Sequence, residues 1–133
     1  MSPYKLSKSR ILAGLQCPKR LYLQTHHPEL AEESGSAQAR FAQGNVLGEV
    51  ARTLHEGGIL IGHDDALGLA LAETREVLAS ESVSTVFEAT FEHGGVLVRA
   101  DVLERHEDGR YRMVEVKSST TVKPYHLQDC AVQ

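Results

Sequence analysis

The stretch from Thr85 to Ser118 constrains this chain most, because its turn residues dictate which strand residues face each other. Gly94-Gly95 divides two strand-like runs, Thr85 to His93 and Val96 to Arg105. A glycine pair suits a two-residue hairpin turn, whose primed geometry needs positive φ at both positions. His93 then faces Val96, and counting back along the antiparallel pair sets Glu88 opposite Asp101. In His106-Glu107-Asp108-Gly109-Arg110, a three-residue loop with Gly109 left-handed sets His106 against Arg110. Asp101 then opposes Glu115, Arg99 opposes Lys117, and the strand from Arg110 to Ser118 completes a meander.

Side chains alternate across a sheet, so this register puts Glu88, Asp101, Glu115 and Lys117 on one face. Phe87, Ala89, Phe91, Val98, Ala100, Val102, Val114 and Val116 take the other, which is expected to be the core face. Directly opposed like charges destabilise a sheet, so three neighbouring carboxylates need a counter-charge. A divalent cation supplies one. Hard carboxylate oxygens suit Mg²⁺ or Mn²⁺, with Asp101 and Glu115 as ligands and Lys117 beside them to hold the attacking water and stabilise charge developing on phosphorus. The same row also reads as a solvated sheet face. Val86, Leu103, Tyr111 and Met113 share it, however, which argues for partial cover by a helix.

The flanking segments read mainly as helices. Ser7 or Ser9 can cap a helix carrying Ile11, Leu12, Leu15, Leu21 and Leu23, with Gly14 and Pro18 interrupting or resetting it. His26 to Ser36 reads as a loop, and apolar spacing from Phe41 to Leu54 predicts a helix from Ala37 to about His55, ended by Gly57-Gly58. Ile59 to Ile61 is expected to be a strand. Asp64 or Asp65 is expected to begin a helix through Leu67, Leu71, Thr74 and Leu78, and Pro124 to open a last one from Tyr125. The order predicts a single α/β (α+β) domain over residues 1–133, a mixed sheet with an antiparallel three-strand meander flanked by helices.

Composition narrows the function classes. With 133 residues and 41% hydrophobic content the chain can close one core, and its 5% aromatic content leaves that core to Val, Leu, Ile and Ala with Phe41, Phe87 and Phe91. No run approaches the roughly 18 apolar residues of a membrane span, and the N-terminus lacks a signal-like apolar stretch, so a cytoplasmic protein with no membrane partner is expected. Cys17 and Cys130 are too far apart in sequence for a C-x-x-C site, which suits a reducing compartment. The net charge of −4 argues against nucleic acid, but its distribution argues the other way. No acid precedes Glu29, while Lys5, Lys8, Arg10, Lys19 and Arg20 do, a segment suited either to tracking a phosphate backbone or to forming a solvated cationic helix face.

Arg99-Ala100-Asp101 followed by Glu115-Val116-Lys117 resembles the D...ExK signature of the PD-(D/E)XK nuclease superfamily. Leu6-Ser7-Lys8-Ser9-Arg10, Cys17-Pro18-Lys19-Arg20-Leu21-Tyr22-Leu23, Glu88 and Gln133, in that order, are similar to its RecB-like and CRISPR-associated exonuclease branch over nearly the whole chain. The resemblance implies a restriction-endonuclease-like core and a Mg²⁺- or Mn²⁺-dependent deoxyribonuclease acting on single strands or duplex ends. It makes Asp101 and Glu115 metal ligands, Lys117 the catalytic lysine, Glu88 a supporting acid, and Gln133 the Gln of a Q-x-x-x-Y helix motif.

The chain departs from that pattern in three places. Where many members have a metal-ligating His in G-x-x-x-H, Gly44 leads to Gly48, and Glu49 is the candidate substitute ligand. Cys17 resembles the first of four cysteines of an iron-sulfur cluster, but the other three are absent, so no cluster is expected in this chain alone and Cys17 is expected to be a buried helix cysteine. The sequence stops at Gln133, before the Tyr of Q-x-x-x-Y could appear, which suggests a domain without its C-terminal completion, either a segment of a longer protein or a natural truncation, whose unfinished edge could drive self-association into a homo-oligomer. The expected DNA contacts are Lys8, Arg10, Lys19, Arg20, Lys123 and His126, with hydroxyls of Ser118, Ser119 and Thr120 nearby. His26-His27 reads as loop polarity, because the nearest Cys is outside zinc spacing. The alternative function is a catalytically inactive nuclease fold for nucleic-acid binding or assembly.

Overall fold

The computed structural model describes residues 6–31, 35–63 and 65–133, with backbone alone at residues 36, 37, 40 and 41. Asp64 as a helix start, the Phe41 side chain as a core member and Lys5 in the basic segment lie outside the described residues.

The predicted hairpins set the centre of the sheet. Strands β3 (Thr85–His93) and β4 (Val96–Arg105) pair antiparallel from His93↔Val96 to Thr85↔Glu104. Gly94 and Gly95 carry φ of 58° and 80° in the turn between them. A short strand β5 (Tyr111–Val114) follows in the predicted register, Val102↔Val114 through Arg105↔Tyr111, with Gly109 at φ 80°. It is shorter than the expected Arg110-to-Ser118 strand. The reason is chemical: Asp101 Oδ2 accepts the Val116 N–H at 2.6 Å, so a side chain replaces the ladder there.

The expected alternation of faces does not run through β3. Glu88 has φ of 57°, a left-handed conformation that a residue with a Cβ adopts only at a cost, and Glu88 and Asp101 make no ladder pair although the register holds on both sides. Val86 and Ala89, three positions apart, therefore share one buried cluster with Ile61 and Ala70, against which Phe91 and Leu103 pack. Phe87 instead meets the His55 ring edge-on at 6.3 Å. The core is as modest as the composition implies, with Ile61, Val86 and Val102 its largest fully buried apolar side chains.

The remaining elements attach to this frame. A two-residue strand β1 (Leu6–Ser7), not anticipated, pairs parallel with β4 through Leu6↔Val96 and Ser7↔Leu97. Ser7 then caps helix α1 (Lys8–Gln16) by accepting the Arg10 N–H. Cys17 is extended, and Pro18 starts a separate helix α2 (Pro18–His26), so the anticipated interruption is a complete break. A 3-10 turn (Pro28–Leu30) leads towards helix α3 (Gly35–Thr53), which begins two residues ahead of the predicted start. Strand β2 (Ile59–Leu60) pairs parallel with β3. Helix α4 (Leu67–Ala79) starts past Asp65, with Ala66 before it and no side-chain cap. It lies on β3, where Thr74 Oγ1 accepts the buried Thr90 N–H at 3.0 Å, and the Arg105 guanidinium donates to the carbonyls of Leu78 and Ser80 at its C-terminal end. Helix α5 (Pro124–Val132) closes the chain.

The result is a five-stranded mixed sheet flanked by helices, in the order β1-β4-β3-β2 with β5 also on β4. β1 and β5 occupy the same edge of β4 at its two ends. β1 runs with β4 and β5 against it, so both strands head towards the stretch 98–101 that neither covers. Among the described residues no helix is long and apolar enough to cross a membrane.

Candidate active site

The uncovered stretch of β4 is where the charged side chains meet. β1 hands over directly to Lys8, and β5 to Glu115, so two oppositely charged residues arrive from the two ends of the gap. Lys8 Nζ donates to Glu115 Oε1 at 2.9 Å. Lys117 Nζ donates to the same oxygen at 2.7 Å, and Gln133 Nε2 to Glu115 Oε2 at 2.7 Å. Asp129 on α5 closes the figure: its Oδ2 lies 2.5 Å from Lys117 Nζ and its Oδ1 3.1 Å from Lys8 Nζ. The last approach pairs the charges without hydrogen-bond alignment, leaving Oδ1 without a donor.

Lys8, Glu115, Lys117 and Asp129 thus form a closed ring of alternating charge, with both carboxylate side chains only 5% exposed. Burying charges costs several kcal/mol per ion unless each finds opposite charge and hydrogen bonds, and the ring supplies both. Burial works against the Lys117 ammonium, yet its hydrogen bonds and charge pairing with Asp129 and Glu115 prevail and hold its pKa well above the usual lysine value. Burial likewise opposes the Asp129 carboxylate, but Lys117 and Lys8 outweigh it and keep its pKa below the ordinary range. Asp101 behaves differently. Burial pushes its pKa up and the Glu115 charge adds to that, against the lowering effects of the Val116 N–H, Lys8 and Lys117.

The ring is neutral by itself, two ammoniums against two carboxylates, and Asp101 adds a negative charge that the surroundings hold uneasily. That is the charge balance of a cation site. The Asp101 and Glu115 oxygens are the hard donors that Mg²⁺ or Mn²⁺ takes in ones and twos while keeping its waters, so these residues fit such an ion. Gln133, whose Nε2 meets Glu115, keeps its Oε1 buried and without a hydrogen-bond partner. Among the described residues no three His, Cys, Asp or Glu side chains gather as a metal cluster.

The other candidates lie around this centre. Glu88 and Glu49 do not join the ring; they line a separate cleft of about 640 Å³ with Gly44, Gly48, Arg52 and Arg99. Lys19 and Arg20 are exposed on α2, where Arg20 donates to Gln16, and Arg10 is half-buried on α1. Lys123 is exposed, its ammonium 5.8 Å from the centre of the Tyr125 ring. His126 is buried, its Nδ1 accepting the Lys123 N–H at 3.1 Å, which assigns the proton of the neutral ring to Nε2. It borders a cavity of about 390 Å³ with Glu115, Lys117, Ser119, Thr120 and Thr121. Cys17 is exposed, contrary to the expected burial, because it is the extended link between α1 and α2 and not part of either helix.

Two members of the ring were not legible as such. Lys8 reads from sequence as a phosphate contact, and nothing local shows that it turns inward. Asp129 belongs to no motif, and its one sequence signal is helical spacing: His126, Asp129 and Gln133, three and four apart, lie along one face of a helix. Comparison of the chain with protein-family models, with curated proteins and with solved structures gives no match in any of the three.

Proposed function

We propose that this chain is a metal-dependent deoxyribonuclease domain with a restriction-endonuclease-like core, of the RecB-like branch of the PD-(D/E)XK superfamily. The observation that carries the reading is the convergence of Asp101, Glu115 and Lys117 at the uncovered edge of β4, with Lys117 Nζ 2.7 Å from Glu115. Asp101 and Glu115 are the residues that would hold Mg²⁺ or Mn²⁺. The Val116 N–H fixes the first and the Gln133 amide the second. When bound, the ion supplies a lowered water pKa and polarisation of the scissile phosphate. The Lys117 ammonium, kept charged by its neighbours, orients the attacking water and offers hydrogen bonds where negative charge grows on the phosphoryl oxygens. Ser119, Thr120 and the His126 ring provide polar groups for the adjoining nucleotide in the neighbouring cavity. Two exposed, unpaired thiols accord with a reducing cytoplasmic setting.

Labelled single- and double-stranded DNA incubated with Mg²⁺ or Mn²⁺ tests the reading, with Lys117→Ala as the control. Loss of one transition-state donor lowers turnover by about 10²- to 10³-fold. Cleavage that is unaffected by the substitution points to a contaminant and removes the proposal.

A second reading is favoured by one observation: Lys8 and Lys117 both neutralise Glu115 already. In that case the chain is a nuclease fold that binds nucleic acid without cutting it. It predicts salt-sensitive DNA binding with no turnover in either metal, and absence of binding at low salt excludes it.

A further inference from the structure

Glu115 is asked to serve too many partners. It accepts from Lys8, Lys117 and Gln133, and the nuclease reading adds a divalent cation. A cation on Glu115 draws off the negative charge that attracts the two ammoniums and repels them in turn. With Glu115 alone as its anchor, Lys117 would swing away when it is needed. Asp129 removes this conflict. It is 4% exposed, it reaches Lys117 from α5 and not from the sheet, and it contacts Lys117 through a different oxygen from the one facing Lys8.

We propose that Asp129 is the positioning residue of the site, holding the Lys117 ammonium beside Glu115 once Glu115 is engaged by a cation. The inference deepens the nuclease reading and rests on it. Asp129 acts through Lys117, which it meets through Oδ2. Lys8 completes the device by balancing Asp129 when Lys117 turns part of its charge towards substrate.

The test uses the full chain with ¹⁵N-labelled lysine and follows the Lys117 side-chain ammonium resonance, assigned by its loss in Lys117→Ala. An ammonium held by carboxylates exchanges its protons slowly and gives a distinct signal. Wild type is expected to keep that signal both in chelator and in saturating Mg²⁺, whereas Asp129→Asn loses it on Mg²⁺ addition and Asp129→Glu regains it. In parallel, Asp129→Asn is expected to lower kcat about ten- to hundred-fold with KM for single-stranded DNA within about twofold. Should Asp129→Asn fold poorly, Lys8→Met/Asp129→Asn restores the charge balance and is measured instead. A resonance that survives Mg²⁺ in the variant, or an unchanged kcat in a cleaving protein, overturns the proposal. A wild type that cuts no DNA removes the nuclease reading, while the resonance still decides what Asp129 does.

Discussion

Asp101 is the residue at which stability and the proposed function pull apart. Its pKa is raised above the ordinary carboxylate value of 3.8, first by burial and then by Glu115. An acid with a raised folded-state pKa binds its proton more readily in the folded chain. Its effect therefore favours folding at low pH and is lost as pH rises from the ordinary value through the raised one. At neutral pH Asp101 is a liability in the metal-free protein. Asp101→Asn can still accept the Val116 N–H, so it is expected to unfold at a higher temperature than wild type at pH 7 and to lose that advantage near pH 3. On the proposed function Mg²⁺ is expected to reverse the ranking, raising the melting temperature of wild type by binding the folded state and leaving the variant unmoved. Thermal denaturation across pH, with and without Mg²⁺, reads all of this, and equal melting temperatures at pH 7 would show that Asp101 is not under strain.

Among the elements, β2 depends on a close approach that only glycine permits. A Cβ on Gly58 would stand 2.3 Å from Phe87 Cε2, and the ring is locked in the core with 4% exposure. Gly58→Ala is expected to destabilise the fold by about 1–3 kcal/mol, the usual cost of overpacking, seen as a lower urea midpoint. An unchanged midpoint would mean that β2 can move off β3 freely. The strands differ in how much of them was readable. The bounds and pairing of β3 and β4 follow from Gly94-Gly95, since a two-residue turn leaves one register, and Gly109 does the same for β5. The break at Glu88 was hidden because a left-handed glutamate is imposed by its surroundings and not by its own preference. The early end of β5 was hidden because it depends on the Asp101 side chain taking a backbone N–H. β1 spans two residues, too few for any periodicity, yet it delivers Lys8 to Glu115. Asp101, Glu115 and Lys117 could be grouped from register alone, but Lys8 and Asp129 could not, because only the meeting of α1, α5 and the sheet edge brings them in.

For the molecule as a whole, the inward turn of Lys8 divides the basic N-terminal segment into two kinds of residue. Lys19 and Arg20 remain exposed, as the proposed contact with a phosphate backbone requires, while Lys8 is committed to the ring. Replacing Lys19 and Arg20 together by Ala is expected to weaken DNA binding of every sequence alike and to flatten the dependence of log K on log salt by about 0.7 per lost contact on single strands. Fluorescence anisotropy titrations at several salt concentrations measure the slope, and an unaltered slope places the binding face elsewhere. The ring also has a temporal side. Its bond from Lys8 to Glu115 spans 107 positions, and Asp129 comes later still. Contacts of such long range close late, after the hairpins have formed from local turns. On the proposed function chemistry would thereby be deferred: a partly made or partly folded chain carries the acids and the lysine, but the ring that holds them together forms only when α1 and α5 shake hands across the sheet.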